Sequence, residues 1–445
     1  MEVAIGKLEA RARSSGAGSR GWGVVLLVAA WPVIAAAADR PRAIDETRVR
    51  AAGIRKLEGK RLTLYTDLPP SAMVDELPEA FDQAFPQWCA YFGVETGTHA
   101  DWRMTGYLIK DKLRFEAAGL MPGDLPPFLN GFSRHRELWL YDQTSDYYRR
   151  HLLLHEGTHG FMATVLRGCG PPWYSEGMAE LLATHRWQNG HLRLSSFPAD
   201  PADVSKLGRI ELIEADLAHG RGRTLPEVLA YDSRAHLKVE PYAWSWAAVA
   251  FLDNHPRYRE RFRELWRLAG DPNFNKRFAE KFAADGARLV EEFQVFASDL
   301  AYGYDFDRTV IDFTPGKPLG GSAKLTIAAD QSWQNTGLKL EAGKTYHLAA
   351  SGRYQVGKLS RVWWSEPEGV SIHYVHGKPL GLLLGAVRPD DVPSGESPLA
   401  APLKIGRGTT IRPEKTGTLF LRTNISSGGL GAAAGSLTVE VTRTE

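Results

Sequence analysis

The sequence predicts an α+β domain followed by an all-β sandwich, and three observations lead there. Helical and strand periodicities alternate up to about residue 300. Short alternating segments separated by glycine-rich turns fill the chain from about residue 322. Between them stands Phe313-Thr314-Pro315-Gly316-Lys317-Pro318-Leu319-Gly320-Gly321, whose composition is that of a linker. At 445 residues the chain is long enough for two cores. The expected division is a targeting segment over 1–38, a linker over 39–58, the α+β domain over 59–306, a second linker over 307–321 and the β domain over 322–445.

Lys7, Arg11, Arg13 and Arg20 precede an apolar run from Trp22 to Ala38 that ends in Ala36-Ala37-Ala38. This pattern predicts a signal peptide cut after Ala38, hence a secreted or periplasmic protein. The alternative is an uncleaved amino-terminal anchor, but the run is about 17 residues and Pro32 interrupts it. No other segment has the length of a membrane span, so no stable insertion is expected after cleavage. In the α+β domain, Leu62 to Thr66 alternates as a strand, Ser71 to Phe92 has helical spacing, and Trp102 to Ile109 is again a strand before a helix from Asp111. Glu137 to Tyr141 is one more strand. Ser145-Asp146 caps a helix that runs through Phe161, Met162 and Val165 until Gly168, Gly170 and Pro171-Pro172 stop it. From Pro241 to about Tyr302 the pattern is mainly helical, and the arginines between Arg257 and Arg267 read as solvated surface.

The chemistry sits on the capped helix as His155-Glu156-Gly157-Thr158-His159. Two histidines four apart on a helix lie roughly 40° apart around the axis and about 6 Å along it, so both imidazoles reach one metal. Glu156 beside the first histidine can take a proton from metal-activated water. The pattern alone arises by chance in roughly a few per cent of chains of this length, so its context matters. A catalytic zinc ion takes three protein ligands and keeps one open position. Trp173-Tyr174-Ser175-Glu176-Gly177-Met178-Ala179-Glu180 opens a second helix, with Ser175 as its cap, and Glu176 is the expected third ligand. Glu180, one turn on, is placed to accept a hydrogen bond from the free ring nitrogen of a ligand histidine. His151, one turn before His155, would close the site as a fourth ligand, so it is read as a surface residue or one outside the ligand set.

H-E-G-T-H followed by W-Y-S-E-G-M-A-E resembles the gluzincin metallopeptidases of the thermolysin-like, peptidase-MA-like superfamily. The resemblance implies zinc held by His155, His159 and Glu176, Glu156 as general base, and Glu180 orienting a histidine. Glu240-Pro241-Tyr242-Ala243-Trp244 resembles the helix whose first-turn tyrosine, in aminopeptidase-type members, hydrogen-bonds the developing oxyanion, which makes Tyr242 the candidate. In such a fold the strand Glu137 to Tyr141 at the sheet edge would pair with an extended peptide. The chain lacks the G-x-M-E-N segment that holds a free amino terminus in aminopeptidase members, so endo- and exopeptidase action both stay open.

Lysine plus arginine number 54 against 52 aspartate plus glutamate, a balance without long basic runs that argues against nucleic acid as partner. Only Cys89 and Cys169 are present, and one disulfide or two free thiols are both open. Cys169, in a Gly-Cys-Gly loop, is not expected to bind zinc. In the β domain, strands are expected over 324–327, 336–340, 345–350, 418–423 and 436–442, as in a sandwich. Ser332-Trp333-Gln334-Asn335-Thr336-Gly337, Gly343-Lys344-Thr345-Tyr346 and the ending from Asn424 to Ser436 resemble the bacterial calcium-dependent galactose-binding lectins. Where that family places oxygen ligands this chain has Ile425 and Ala432-Ala433. Calcium needs six to eight oxygens, so a lectin-like fold without calcium is expected. Two functions remain: an exported zinc metallopeptidase acting on peptides or proteins, or a non-catalytic extracytoplasmic binding protein with a structural metal. In either, the β domain can contact carbohydrate, a protein or the cell surface, or dock on its neighbour.

Overall fold

A computed structural model describes residues 42–234, 238–358, 361–391 and 395–444; the expected signal peptide lies outside the described residues. Helix α1 (Glu46–Ala51) and strand β1 (Arg55–Glu58) come first, so the expected linker over 39–58 instead supplies an edge of the sheet. There follow β2 (Leu62–Thr66), α2 (Ala72–Asp75), α3 (Leu77–Phe92), β3 (Met104–Ile109), α4 (Lys112–Ala117), β4 (Gly131–Arg134) and β5 (Glu137–Tyr141). The strands form one sheet in the order β1-β2-β3-β5-β4. The three inner strands run parallel, and β1 and β4 pair antiparallel at the edges.

Side-chain alternation explains why the sheet is covered on both sides. Leu62, Leu64, Met104, Leu108, Leu138 and Leu140 face a core shared with Phe81, Phe85 and Trp88 of α3. Tyr65, Tyr107, Ile109 and Trp139 face a second core with Val49 and Phe115. Burying each of these large side chains contributes on the order of 1.5–3 kcal/mol. The edge strand expected at 137–141 is therefore interior; β4 folds back on β5 through His135, at φ 57°, and takes the edge.

Helices α5 (Asp146–Phe161) and α6 (Pro172–Ala183) carry the motif residues, and a π-turn over Met162–Leu166 extends α5 to the expected stop. Ser145 caps α5 as expected, its hydroxyl accepting from the Tyr148 amide at 3.2 Å. A short hairpin, β6 (Arg186–Gln188) and β7 (His191–Arg193), precedes α7 (Arg209–Ala218), α8 (Leu225–Leu229), α9 (Val239–Asn254), α10 (Arg259–Arg263), α11 (Phe274–Lys281) and α12 (Gly286–Ser298). A Cβ on Gly177 would meet Val249 Cγ2 at 2.4 Å and the Ser245 carbonyl at 2.6 Å. Only glycine lets α6 and α9 approach this closely. The arginines expected at the surface are tied down: Arg257 to Glu292, Arg261 to Asp285 and Arg263 to the buried Asp253.

The remainder is strand-rich: β8 (Lys317–Pro318), β9 (Ser322–Ala328), β10 (Gln334–Leu340), β11 (Tyr346–Ser351), β12 (Tyr354–Lys358), β13 (Val362–Ser365), β14 (Val370–Val375), β15 (Lys378–Leu380), β16 (Leu383–Pro389), β17 (Leu403–Lys404), β18 (Gly408–Ile411), β19 (Gly417–Thr423) and β20 (Ser436–Arg443). Two sheets, β17-β16-β19-β10-β8 and β18-β11-β20-β9, enclose a core of Leu340, Tyr346, Leu348, Leu419, Leu421, Val439 and Val441. Ile425 and Leu430 of the terminal loop are buried in that core. The Asn424 amide nitrogen lies 3.0–3.1 Å from the carbonyls of Val375, Lys378 and Pro379, and Arg422 donates to the Ile425 carbonyl at 2.7 Å.

The two parts meet along α12. Arg388 of β16 grips Glu291 through Nε at 3.0 Å and Nη2 at 2.8 Å, and Ser397 donates to the same carboxylate at 2.8 Å. Arg422 of β19 donates to Asp299 at 2.9 Å. Ile311, inside the expected linker, is buried here with Val295, Trp333, Leu384 and Phe420. The segment after residue 307 is thus packed seam rather than free connection.

Candidate metal centre

Helix α5 turns His155 and His159 toward the face on which α6 crosses and Glu156 toward β4, and α6 answers with Glu176 and Glu180. The Nε2 atoms of His155 and His159 are 3.2 Å apart, and Glu176 Oε2 lies 3.3 Å from each. Glu176 Oε2 is buried and makes no hydrogen bond of acceptable geometry. Three such donors outline one face of a tetrahedron whose centre lies about 2.0 Å from each corner, the zinc–nitrogen distance. Two imidazoles and a carboxylate are also a donor set that suits zinc rather than calcium or magnesium. The residues present therefore fit a divalent cation of the zinc type.

The other ring nitrogens are engaged, which aims both Nε2 atoms at the same point. His155 Nδ1 stands 3.3 Å from Glu180 Oε1, and His159 Nδ1 is 3.2 Å from Ser175 Oγ. Ser175 was expected to cap α6, but Pro171 takes that position and Pro172 begins the helix. Its hydroxyl is free to meet His159 instead.

Electrostatics follow from burial. Burial alone would lower the His155 pKa, but the Glu176 and Glu180 carboxylates outweigh it and push it up to about 9. Glu176 is held low: burial opposes ionisation, and the neighbouring His159 and His155 imidazoles overcome it. Without a metal the cluster draws in protons, as a preformed cation site does. Burial pushes the Glu156 carboxyl up, with His155 and His159 pulling against it. Glu156 lies under β4: a Cβ on Gly131 would fall 2.6 Å from its Oε1, so glycine there leaves room for the carboxylate.

Two residues near the centre were read differently or missed in the sequence. Of the two readings of His151 the surface one fails and the one outside the ligand set stands: it is fully buried, with Nε2 3.3 Å from Glu180 Oε2 and Nδ1 3.0 Å from the Ala183 carbonyl. Arg209, the first residue of α7, donates to both oxygens of Glu180 at 3.0 and 2.8 Å. Against the burial penalty, Arg209 and His151 hold the Glu180 carboxyl well below its usual range. One signal for Arg209 existed: a cation in the first turn of a helix opposes the helix dipole and needs another reason to be there.

Tyr242 lies in the first turn of α9, its ring 5.8 Å from that of His155 and 5.8 Å from the Arg209 guanidinium carbon. Burial, then the carboxylates of Glu176, Glu156 and Glu180, push its phenol up, so it stays a neutral donor near pH 7. Cys169 and Cys89 are free thiols, so the disulfide alternative is not formed; Cys169 lines the cleft and Cys89 faces the core of α3. All of the expected site residues border one cleft of about 560 Å³, along with β4 and the start of α9.

No known family profile matches the chain, and no curated protein matches it. Among solved structures, it is similar to one titled "EclA N-terminal domain; PllA-like lectin", at 23% identity over 28% of this chain and 95% of that one, with a TM-score of 0.20. It is also similar to IMPa from Pseudomonas aeruginosa in complex with an O-glycopeptide, at 12% identity over 56% of this chain and 24% of that one, with a TM-score of 0.17.

Proposed function

We propose that the chain is a zinc-dependent peptidase of the gluzincin type, with His155, His159 and Glu176 holding the ion. The single observation that carries this reading is the near-equilateral triangle of two imidazole nitrogens and an unsatisfied buried carboxylate oxygen. A zinc ion bound there supplies electrophilic pull on a substrate carbonyl and makes the attacking water more acidic. Glu156 accepts the proton of that water and passes it to the leaving nitrogen. Burial raises the basicity that this transfer needs. Tyr242 donates its phenolic proton in a hydrogen bond to the oxyanion as it forms. Arg209 fixes Glu180, and Glu180 fixes the His155 ring. An extended peptide adds to the free edge of β4, main chain to main chain, which places its carbonyl beside Glu156. The strand-rich domain carries the lectin-like part of the reading and a contact with carbohydrate or cell surface.

Glu156→Gln tests the assignment. The variant is expected to keep about one metal per chain by elemental analysis and to lose about 10²–10⁴-fold in cleavage of a mixed peptide library. Cleavage that survives in the variant removes Glu156 from the role. A wild-type chain that holds metal but cuts nothing, with or without chelator, favours the non-catalytic binding protein.

A further inference from the structure

Beyond its machinery the cleft has a character of its own. Of the three carboxylates on its lining, Glu156, Glu176 and Glu180, the last is met by Arg209, and a divalent cation held by His155, His159 and Glu176 would offset the other two. That leaves Lys238. It lies on the cleft lining immediately before α9, one turn ahead of Tyr242, and is exposed. Among the described residues no carboxylate pairs with it; the nearest acid along the chain, Glu240, is taken by Arg223 at 2.8 Å. A cation on the lining of a cleft with no acid of its own raises the local concentration of anionic groups. Beside it Val239, 50% exposed, and Leu129, 68% exposed, present large apolar side chains to the same cleft. Exposed side chains of that size, lining one cleft, fit an apolar group on a ligand.

We propose that Lys238 selects substrates with a carboxylate close to the bond that is cut, next to an apolar side chain that contacts Val239 and Leu129. This rests on the peptidase reading. The carboxylate comes either from an aspartate or glutamate side chain or from the free end of the peptide, and both present the same group to the ammonium.

The test uses the full zinc-loaded chain and end-blocked peptides identical except for Glu, Gln or Lys at positions flanking the cleaved bond, together with a Gln peptide whose carboxyl terminus is free. Wild type should prefer Glu over Gln by about two- to fivefold in kcat/KM. Lys238→Gln should bring the ratio to about one, and Lys238→Glu should turn the preference toward Lys. A gain for the free terminus instead of internal Glu assigns the carboxylate to the chain end. Equal rates for Glu, Gln and the free-ended peptide in wild type, or the same profile in wild type and Lys238→Glu, overturn the proposal. Calorimetric binding of the Glu and Gln peptides to Glu156→Gln, with and without Lys238→Gln, gives the same ratio without turnover. If wild type cuts nothing, the peptidase reading fails while this binding ratio still decides the role of Lys238.

Discussion

Two buried clusters of charge in this molecule end differently. Along α12, Glu291 has both oxygens bound by Arg388 and Ser397, and Asp299 is held by Arg422. In the cleft, Glu176 Oε2 faces two imidazole nitrogens with no hydrogen bond to either. A buried acid with both oxygens bound acts as a structural joint, and one left unanswered between ligand-type atoms is what a cation site would leave when empty. The contrast separates function from architecture without any sequence relative.

The sharpest way to break that contrast is to remove one acid from each cluster. Glu291→Ala strands Arg388 in the seam and should cost about 3–5 kcal/mol in urea unfolding, with or without zinc. Glu176→Ala should instead abolish the rise in Tm that added zinc gives the wild type, a rise that grows as the logarithm of zinc concentration above Kd. A Glu291 variant as stable as wild type, or a Glu176 variant that still gains from zinc, would collapse the distinction. Arg209→Met comes next: loosening Glu180 behind His155 should weaken zinc about 10–100-fold in a competition titration. Unchanged affinity would make Arg209 a mere core ion pair.

Acid provides a smaller test. Burial would raise the Asp299 pKa, but Arg422 and His376 outweigh it and hold it below the usual value. A depressed carboxyl contributes stability that is complete above the unfolded value near ~3.9 and is lost as pH falls through the lower folded one. Wild type should therefore lose more stability than Asp299→Asn between about pH 5 and pH 2. Parallel curves would show that the seam does not titrate. The smallest effect expected is that of calcium: with Ile425 and Leu430 buried in the sandwich core, millimolar calcium should move the Tm of the full chain by less than about 1 °C. A shift of several degrees would reveal a site in the terminal loop.

What the sequence made legible was local. His155, Glu156 and His159 are tied by helical spacing, and Glu176 and Glu180 follow on the next helix, so pattern alone groups them. Arg209, and Ser133 of β4, which lines the cleft beside Glu156, reach the site through tertiary packing, which leaves no mark at a fixed spacing. The four residues of β4 are half-buried and lack the apolar alternation that makes a strand visible, so the sheet edge was assigned to its neighbour β5. Ser175 looked like a cap because serine usually is one, but Pro171-Pro172 starts the helix sooner. Strands β12 to β18 escaped because hairpins and bulges break their period, as in β12–β13 and β14–β15. The linker after Asp307 has loop composition, yet Ile311 anchors it.

The paired arginines of the seam carry one more consequence. Arg388 and Arg422 stand on adjacent strands and grip residues near the middle and the end of one helix, so tilting one half of the molecule against the other means breaking two buried ion pairs together. The halves form a caliper with its jaws locked, not a hinge. Any polymer engaged by both would meet them at a set spacing, and the distance between its two contact points would be fixed by the seam.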